Sequence, residues 1–108
     1  MSRSTMEVIK SHGKAFRSGI DAIMEDYAED AVVFSPTGAH KGHEEIRKFF
    51  ELEIMNFPEG FWAALETVRL EVEGEYAYFL WKALPWHELG CDSFHVRDGK
   101  IRCQSSTI

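Results

Sequence analysis

The fold turns on the stretch Asp92-Ser93-Phe94-His95-Val96-Arg97-Asp98-Gly99-Lys100-Ile101-Arg102-Cys103-Gln104-Ser105-Ser106-Thr107. Asp98-Gly99 is a strong signal for a two-residue hairpin turn, because both central residues of such a turn tolerate positive φ. It joins a strand over 92–97 to a final strand over 100–107. A two-residue loop fixes the register: Val96 faces Ile101, Phe94 faces Cys103 and Asp92 faces Ser105. These six residues share one face, and Phe94, Val96 and Ile101 make it the buried one. Ser93, His95, Arg97 and Arg102 fall on the other face. Asp92 is therefore expected to point inward, where a carboxyl group needs a partner. Cys103 is expected inward and Cys91 outward, which leaves two free thiols.

Working upstream, Val68-Arg69-Leu70-Glu71-Val72-Glu73 alternates cleanly and reads as a half-buried strand. A tight turn at Glu73-Gly74-Glu75 leads into a strand over 76–84. In that register Val68, Leu70 and Val72 share the inner face with Ala77, Phe79, Trp81 and Ala83. Tyr76, Tyr78, Leu80 and Leu84 lie on the outer face. So apolar an outer face predicts packing against a second subunit, a homodimer through the sheet. Residues 85–90 read as a loop carrying Trp86 and His87.

The first half reads as helical. Met6, Ile9, Phe16 and Ile20 recur at helical spacing, with Ser4 or Thr5 as cap and Glu7 in the first turn. Gly19 separates this helix from a short second one, striped by Ile20, Ile23, Met24 and Tyr27. Ala31-Val32-Val33-Phe34 is a strand stopped by Pro36, and residues 35–42 form a loop. A third helix follows, with Glu44 and Glu45 early and an apolar stripe of Ile46, Phe49, Phe50, Ile54 and Phe57. Pro58 and Gly60 end the helical half. Helices followed by strands predict an α+β fold.

The chain has 108 residues, 44% hydrophobic and 28% charged, and is expected to form a single domain over 1–108. A formal net charge of -6 disfavours nucleic acid. No apolar run approaches a membrane span, and the N-terminal stretch lacks the apolar core of a signal peptide. These features predict a cytoplasmic protein that does not engage membranes. Two cysteines are too few for a disulfide framework or a four-thiolate zinc site. No phosphate-binding glycine pattern or nucleophile elbow occurs, so no cofactor is expected. His40 and His43 flank Lys41-Gly42 without a third ligand, and no metal is expected.

Three segments carry a family resemblance. The first runs from Phe16-Arg17-Ser18-Gly19-Ile20-Asp21-Ala22-Ile23 into Tyr27-Ala28-Glu29-Asp30-Ala31-Val32-Val33. The second is Gly38 followed by Lys41-Gly42-His43-Glu44-Glu45-Ile46-Arg47-Lys48-Phe49-Phe50, and the third is 92–101. Together they resemble the nuclear transport factor 2-like (cystatin-like) superfamily, in its ketosteroid isomerase and SnoaL-like polyketide cyclase branch. The resemblance implies a cone: a curved, mostly antiparallel sheet closed by N-terminal helices around an apolar cavity, usually dimeric through the sheet. It implies an isomerase, a cyclase, a dehydratase or a non-catalytic ligand-binding or scaffold dimer, because this fold does not settle function.

Asp92 matches the position of the isomerase's oxyanion-hole Asp, where an apolar site keeps a carboxyl group neutral so that it donates a hydrogen bond. The plainer reading is a carboxylate bonded to Ser105 or backbone. Ser35, before Pro36, stands where the isomerase carries its general-base Asp. A serine hydroxyl lacks the basicity to shuttle protons unaided, so the known steroid isomerisation is not expected, and the favoured reading of Ser35 is a turn residue. His12, near the inward stripe of the first helix, would pair with Asp92 in acid–base work. Its plainer reading is a helix-flank histidine bonded to water. Glu53 interrupts an apolar stripe: pointing inward it would be a burial-shifted carboxyl and a second base candidate, but the favoured reading takes it to the helix edge and water. Phe16, Ser35, Phe50, Trp62, Trp81 and Phe94 are the expected walls of a pocket for a small apolar molecule.

Overall fold

The computed structural model describes residues 2–107. Its elements are α1 (Thr5–Ala15), α2 (Ile20–Glu25), β1 (Tyr27–Ser35), β2 (Gly38–Lys41) and α3 (Gly42–Asn56), then α4 (Phe61–Ala64), β3 (Leu65–Glu73), β4 (Tyr76–Ala83), β5 (His87–Arg97) and β6 (Lys100–Thr107). The six strands form one sheet in the order β2-β1-β6-β5-β4-β3. Every neighbouring pair is antiparallel except β1 and β6. Four of the five pairings carry a register shift. Each such irregularity bends its strand and adds twist, so the sheet curls into an α+β cone that stays open between β2 and β3. Among the described residues no helix is long and apolar enough to cross a membrane.

The helices follow local chemistry. Ser4 caps α1 in a full capping box: the Glu7 amide donates to Ser4 Oγ at 3.1 Å, and the Ser4 amide donates to Glu7 Oε1 at 2.8 Å. Gly19, at φ +111°, takes the left-handed corner between α1 and α2 that a side chain would disfavour. Val8, Ile23 and Ile46 from α1, α2 and α3 are fully buried together with Val33 of β1 and Ile101 of β6. This core pins α2 and α3 to β1, while α1 lies across β4 and β5. A second cluster of Phe61, Trp81 and Ala83 ties α4 to β4.

The hairpin register departs from the regular ladder. Asp98 and Gly99 adopt φ +53° and +74°, and Val96 pairs with Ile101. Beyond that pair His95 lies opposite Cys103, Phe94 opposite Gln104 and Asp92 opposite Ser106, not Ser105. Arg102 is the extra residue, and its guanidinium reaches Asp30 at 3.1 Å and Asp98 at 3.7 Å. The bulge turns Gln104 inward in place of Cys103. Cys103 therefore shares the outer face with Cys91. Both thiols are free, for a different reason than opposite faces. Cys91 pairs with Thr107, four residues from Cys103, or about 13 Å along the strand.

Other boundaries shift for similar reasons. β1 begins at Tyr27, and the segment expected as a loop contains β2, whose sequence Gly-Ala-His-Lys offers no apolar alternation to read. β5 begins at His87, which shortens the expected 85–90 loop. Val68 sits at the register shift between Thr67 and Arg69 and is half exposed, although alternation placed it inside.

Trp81 pairs across the ladder with Gly90, and its indole lies over the space a side chain would fill. A Cβ at Gly90 would overlap the indole. Gly90→Ala is expected to destabilise the fold by about 2 kcal/mol and to red-shift tryptophan emission. Urea denaturation followed by fluorescence checks both.

Candidate functional site

The concave face of the sheet and helices α1, α3 and α4 enclose a cavity of about 140 Å³. Its wall is largely aromatic: Phe16 and Phe50 from the helices, Trp62 and Phe61 from α4, Phe79, Trp81 and Phe94 from the sheet. Several of the rings pack edge to face as their quadrupoles favour, with Phe16 and Phe50 centroids 5.5 Å apart. Five polar side chains reach the same space: His12, Glu53, Asp92, Gln104 and Ser106. Of the residues that sequence pointed to, His12, Phe16, Phe50, Trp62, Trp81, Asp92 and Phe94 meet here. Ser35 does not line the cavity. It closes the β1–β2 turn, with Oγ 2.9 Å from Thr37 Oγ1 and 3.3 Å from His40 Nε2.

Asp92 is held by a directed set of donors. Trp81 Nε1 donates to Oδ2 at 2.8 Å. Residue 92 is the diagonal neighbour of residue 81 on one face of the ladder, within reach of an indole. Gln104 Nε2 donates to Oδ1 at 3.4 Å, and Ser106 stands directly opposite Asp92 on β6. The Gln104 amide is oriented in turn by Tyr27, whose hydroxyl donates to Oε1. Burial first, then the charges of Asp92 and Asp26, push the Tyr27 phenol well above its ordinary pKa. It therefore keeps its proton and remains a donor. Burial also raises the Asp92 carboxyl pKa, against the opposing pull of Ser106, Trp81 and Gln104.

Two further ionisable groups face the cavity. Glu53 of α3 is half-buried, and desolvation, reinforced by the nearby Asp92 charge, raises its pKa. The stripe break at Glu53 was the available signal for it. Instead of reaching only water, the side chain lines both this cavity and an adjoining outer hollow. His12 of α1 is buried among Phe16, Tyr27, Phe50 and Phe94, all edge-on at 4.8–6.3 Å between centroids. That apolar cage lowers its pKa to about 4, opposed by the charge of Asp26. His12 is thus neutral at pH 7.

The remaining histidines serve elsewhere. His43 Nε2 bonds the Tyr27 carbonyl at 2.7 Å, and His40 lies over Phe49. His87 packs edge-on against Phe61 and Trp81 behind the wall. His95 stacks on Tyr76 at 5.0 Å and reaches Glu75 Oε1 at 3.0 Å on the outer face. Among the described residues no three His, Cys, Asp or Glu side chains gather as a metal site. Gln104 and Ser106 are the polar members that sequence reading missed, since the regular register turned Cys103 and Ser105 inward.

Residues 15–104 match the sequence profile of the SnoaL-like domain. The chain belongs to the SnoaL-like domain family. No curated protein matches it significantly by sequence. Among solved structures this SnoaL-like domain is similar to a candidate polyketide cyclase from Sinorhizobium meliloti, at 22% identity and a TM-score of 0.77, covering 96% of this chain and 99% of that one. It is similar to a candidate ketosteroid isomerase from Kribbella flavida, at 15% identity and a TM-score of 0.71, covering 95% and 76%. A de novo designed protein with a curved β-sheet matches as well, at 18% identity and a TM-score of 0.77, covering 100% and 88%. Likeness at these identities speaks to the nuclear transport factor 2-like fold alone. The chemistry of this SnoaL-like domain must be argued from its own side chains.

The buried imidazole gives a pH-dependent stability. The folded state binds the His12 proton more weakly than the unfolded chain, so its contribution is full above pH 6.5 and is lost as pH falls toward 4. Asp92 and Glu53, with raised pKa values, work in the opposite direction as pH rises through the acid range. A difference between variants isolates His12. His12→Phe is expected to match wild type near pH 7 and to exceed it by up to about 3 kcal/mol near pH 4. Denaturant melts across that range check it, and parallel curves would contradict the assignment.

Proposed function

We propose that the chain takes a small apolar molecule bearing a carbonyl group into the cone and moves a proton beside that carbonyl. This is the chemistry shared by isomerases, cyclases and dehydratases. The observation that carries the reading is the convergence of Asp92, Glu53 and His12 on one aromatic cavity. An engineered cavity of about 150 Å³ holds benzene, so a volume of about 140 Å³ suits a single ring. A steroid nucleus is not the substrate we propose, since Ser35 takes the isomerase's base position and lies outside the cavity.

Glu53, at the cavity's edge with a raised pKa, takes the proton from the carbon next to the carbonyl. Asp92, in its protonated form, donates to the substrate oxygen as negative charge develops there. Glu53 then returns the proton to a different carbon. His12, neutral at pH 7, shapes the cavity. The outer sheet face, with Tyr76, Tyr78 and Leu84 exposed, packs against a second copy of the chain. The unbridged Cys91 and Cys103 suit a reducing compartment, the cytoplasm.

A second reading has its own support. Both Asp92 oxygens already accept bonds from the protein, as a purely structural or binding carboxylate would.

Exchange of α-protons of a monocyclic enone with deuterated water, followed by proton NMR, separates the two readings. We expect exchange above the buffer rate, reduced at least 100-fold in Glu53→Gln and in Asp92→Asn. Quenching of tryptophan emission by the enone without exchange would sustain ligand binding and overturn catalysis. Sedimentation equilibrium is expected to return twice the monomer mass, and a monomer at micromolar concentration would refute the pairing of sheets.

A further inference from the structure

Three buried side-chain polar atoms lack a hydrogen-bond partner among the described residues: His12 Nδ1, Asp26 Oδ2 and Arg102 Nε. The first two belong to neighbouring elements. Asp26 caps the C-terminus of α2 and is only 1% exposed. The end of a helix disfavours negative charge, so local structure gives no reason for an acid there. The bonds that the Asp26 carboxylate accepts both fall on one oxygen. Arg3 Nη1 donates to Oδ1 at 3.0 Å, and Ser11 Oγ donates to the same atom at 2.9 Å. Oδ2 is left over.

Ser11 immediately precedes His12 on α1. Its bond draws the Asp26 carboxylate against the turn of α1 that carries the imidazole. From the other side Tyr27, the residue after Asp26, meets the His12 ring edge-on with centroids 5.6 Å apart. Nδ1 and Oδ2 are both buried without a bond partner, and the Asp26 charge acts on the His12 imidazole. A buried water needs two or more polar partners, and a donor and an acceptor without other duties supply them.

We propose that Asp26 is a positioning residue for His12: through one bridging water, Oδ2 holds the imidazole proton on Nδ1 and leaves Nε2 as the unprotonated nitrogen of the cavity wall. Its consequence for chemistry rests on the cavity being the site of proton transfer, but the arrangement itself does not. A histidine so fixed presents an acceptor to a ligand hydroxyl or to a proton leaving the substrate. The groups facing His12 are Asp26 beyond α2, Tyr27 of β1, Glu53 of α3 and Asp92 of β5. Among these, Asp26 is the one whose charge opposes the downward pull of burial on the imidazole. Arg3 screens that charge from the surface side.

Nitrogen-15 NMR of the His12 ring in the full chain, followed against pH, tests this without recourse to turnover. Wild type is expected to show neutral imidazole with its proton on Nδ1 at pH 7. Asp26→Asn is expected to lose that tautomer preference and to lower the His12 pKa further. Arg3→Ala is expected to keep the tautomer and raise the pKa, because the Asp26 charge is then less compensated. A wild-type proton on Nε2 would overturn the proposal, as would an unchanged tautomer in Asp26→Asn. Should Asp26→Asn fail to fold, the wild-type tautomer and the direction of the Arg3→Ala shift decide the matter alone. A chain that catalyses no proton exchange would still give this signature, so the two proposals fail separately.

Discussion

The ladder between β5 and β6 carries one extra residue, Arg102, and the cavity's polar chemistry depends on it. A regular ladder after the Asp98-Gly99 turn would set Cys103 beside Phe94 and Ser105 opposite Asp92, without the Gln104 amide that the carboxylate now accepts from. The bulge instead places Gln104 and Ser106 on the inner face, one diagonal to Asp92 and the other directly opposite. With Trp81 leaning over Gly90 from β4, two donors, Trp81 and Gln104, converge on one buried acid that faces Ser106. The same kind of irregularity, repeated in three other pairings, bends the sheet far enough to wrap the helices. Curvature and site chemistry thus share one cause.

The cavity sets opposing forces on each ionisable group. Desolvation drives Asp92 and Glu53 toward their neutral forms and holds His12 neutral as well. Hydrogen bonds from Trp81, Gln104 and Ser106 pull Asp92 back toward ionisation. A carboxyl group balanced in this way can donate in one state and accept in the other, the property that acid–base work requires. Tyr27 is the fixed end of the network, since its raised pKa keeps it a donor and fixes which way the Gln104 amide points.

Much of this was legible in the chain. The Asp-Gly turn, the alternation at Leu70 and Val72 and the inward placement of Asp92 and Trp81 follow from period-two patterning. The helix-then-strand order and three weak motifs together pointed to the cone. The bulge at Arg102 was not legible, because Cys103 and Gln104 are both tolerable on either face and polarity cannot choose between them. β2 escaped notice since an edge strand of four residues needs no apolar alternation. Glu53 was visible as a break in a stripe, but a side chain that long can turn either way, and only the packing of α3 over the cavity decides it. Ser35 was legible as a turn residue before Pro36, and only its place among the cavity walls, taken from analogy of position, failed.

The central claim is that the fold holds Asp92 as a buried carboxyl group whose proton is retained above the ordinary range of an aspartic acid. Carbon-13 NMR of the Asp92 carboxyl carbon, titrated with pH in the intact protein, tests it most directly. The account predicts an inflection displaced upward from that of an exposed aspartate. An inflection at or below the ordinary value would show that Trp81, Gln104 and Ser106 outweigh burial, and would leave a structural carboxylate in place of a proton donor.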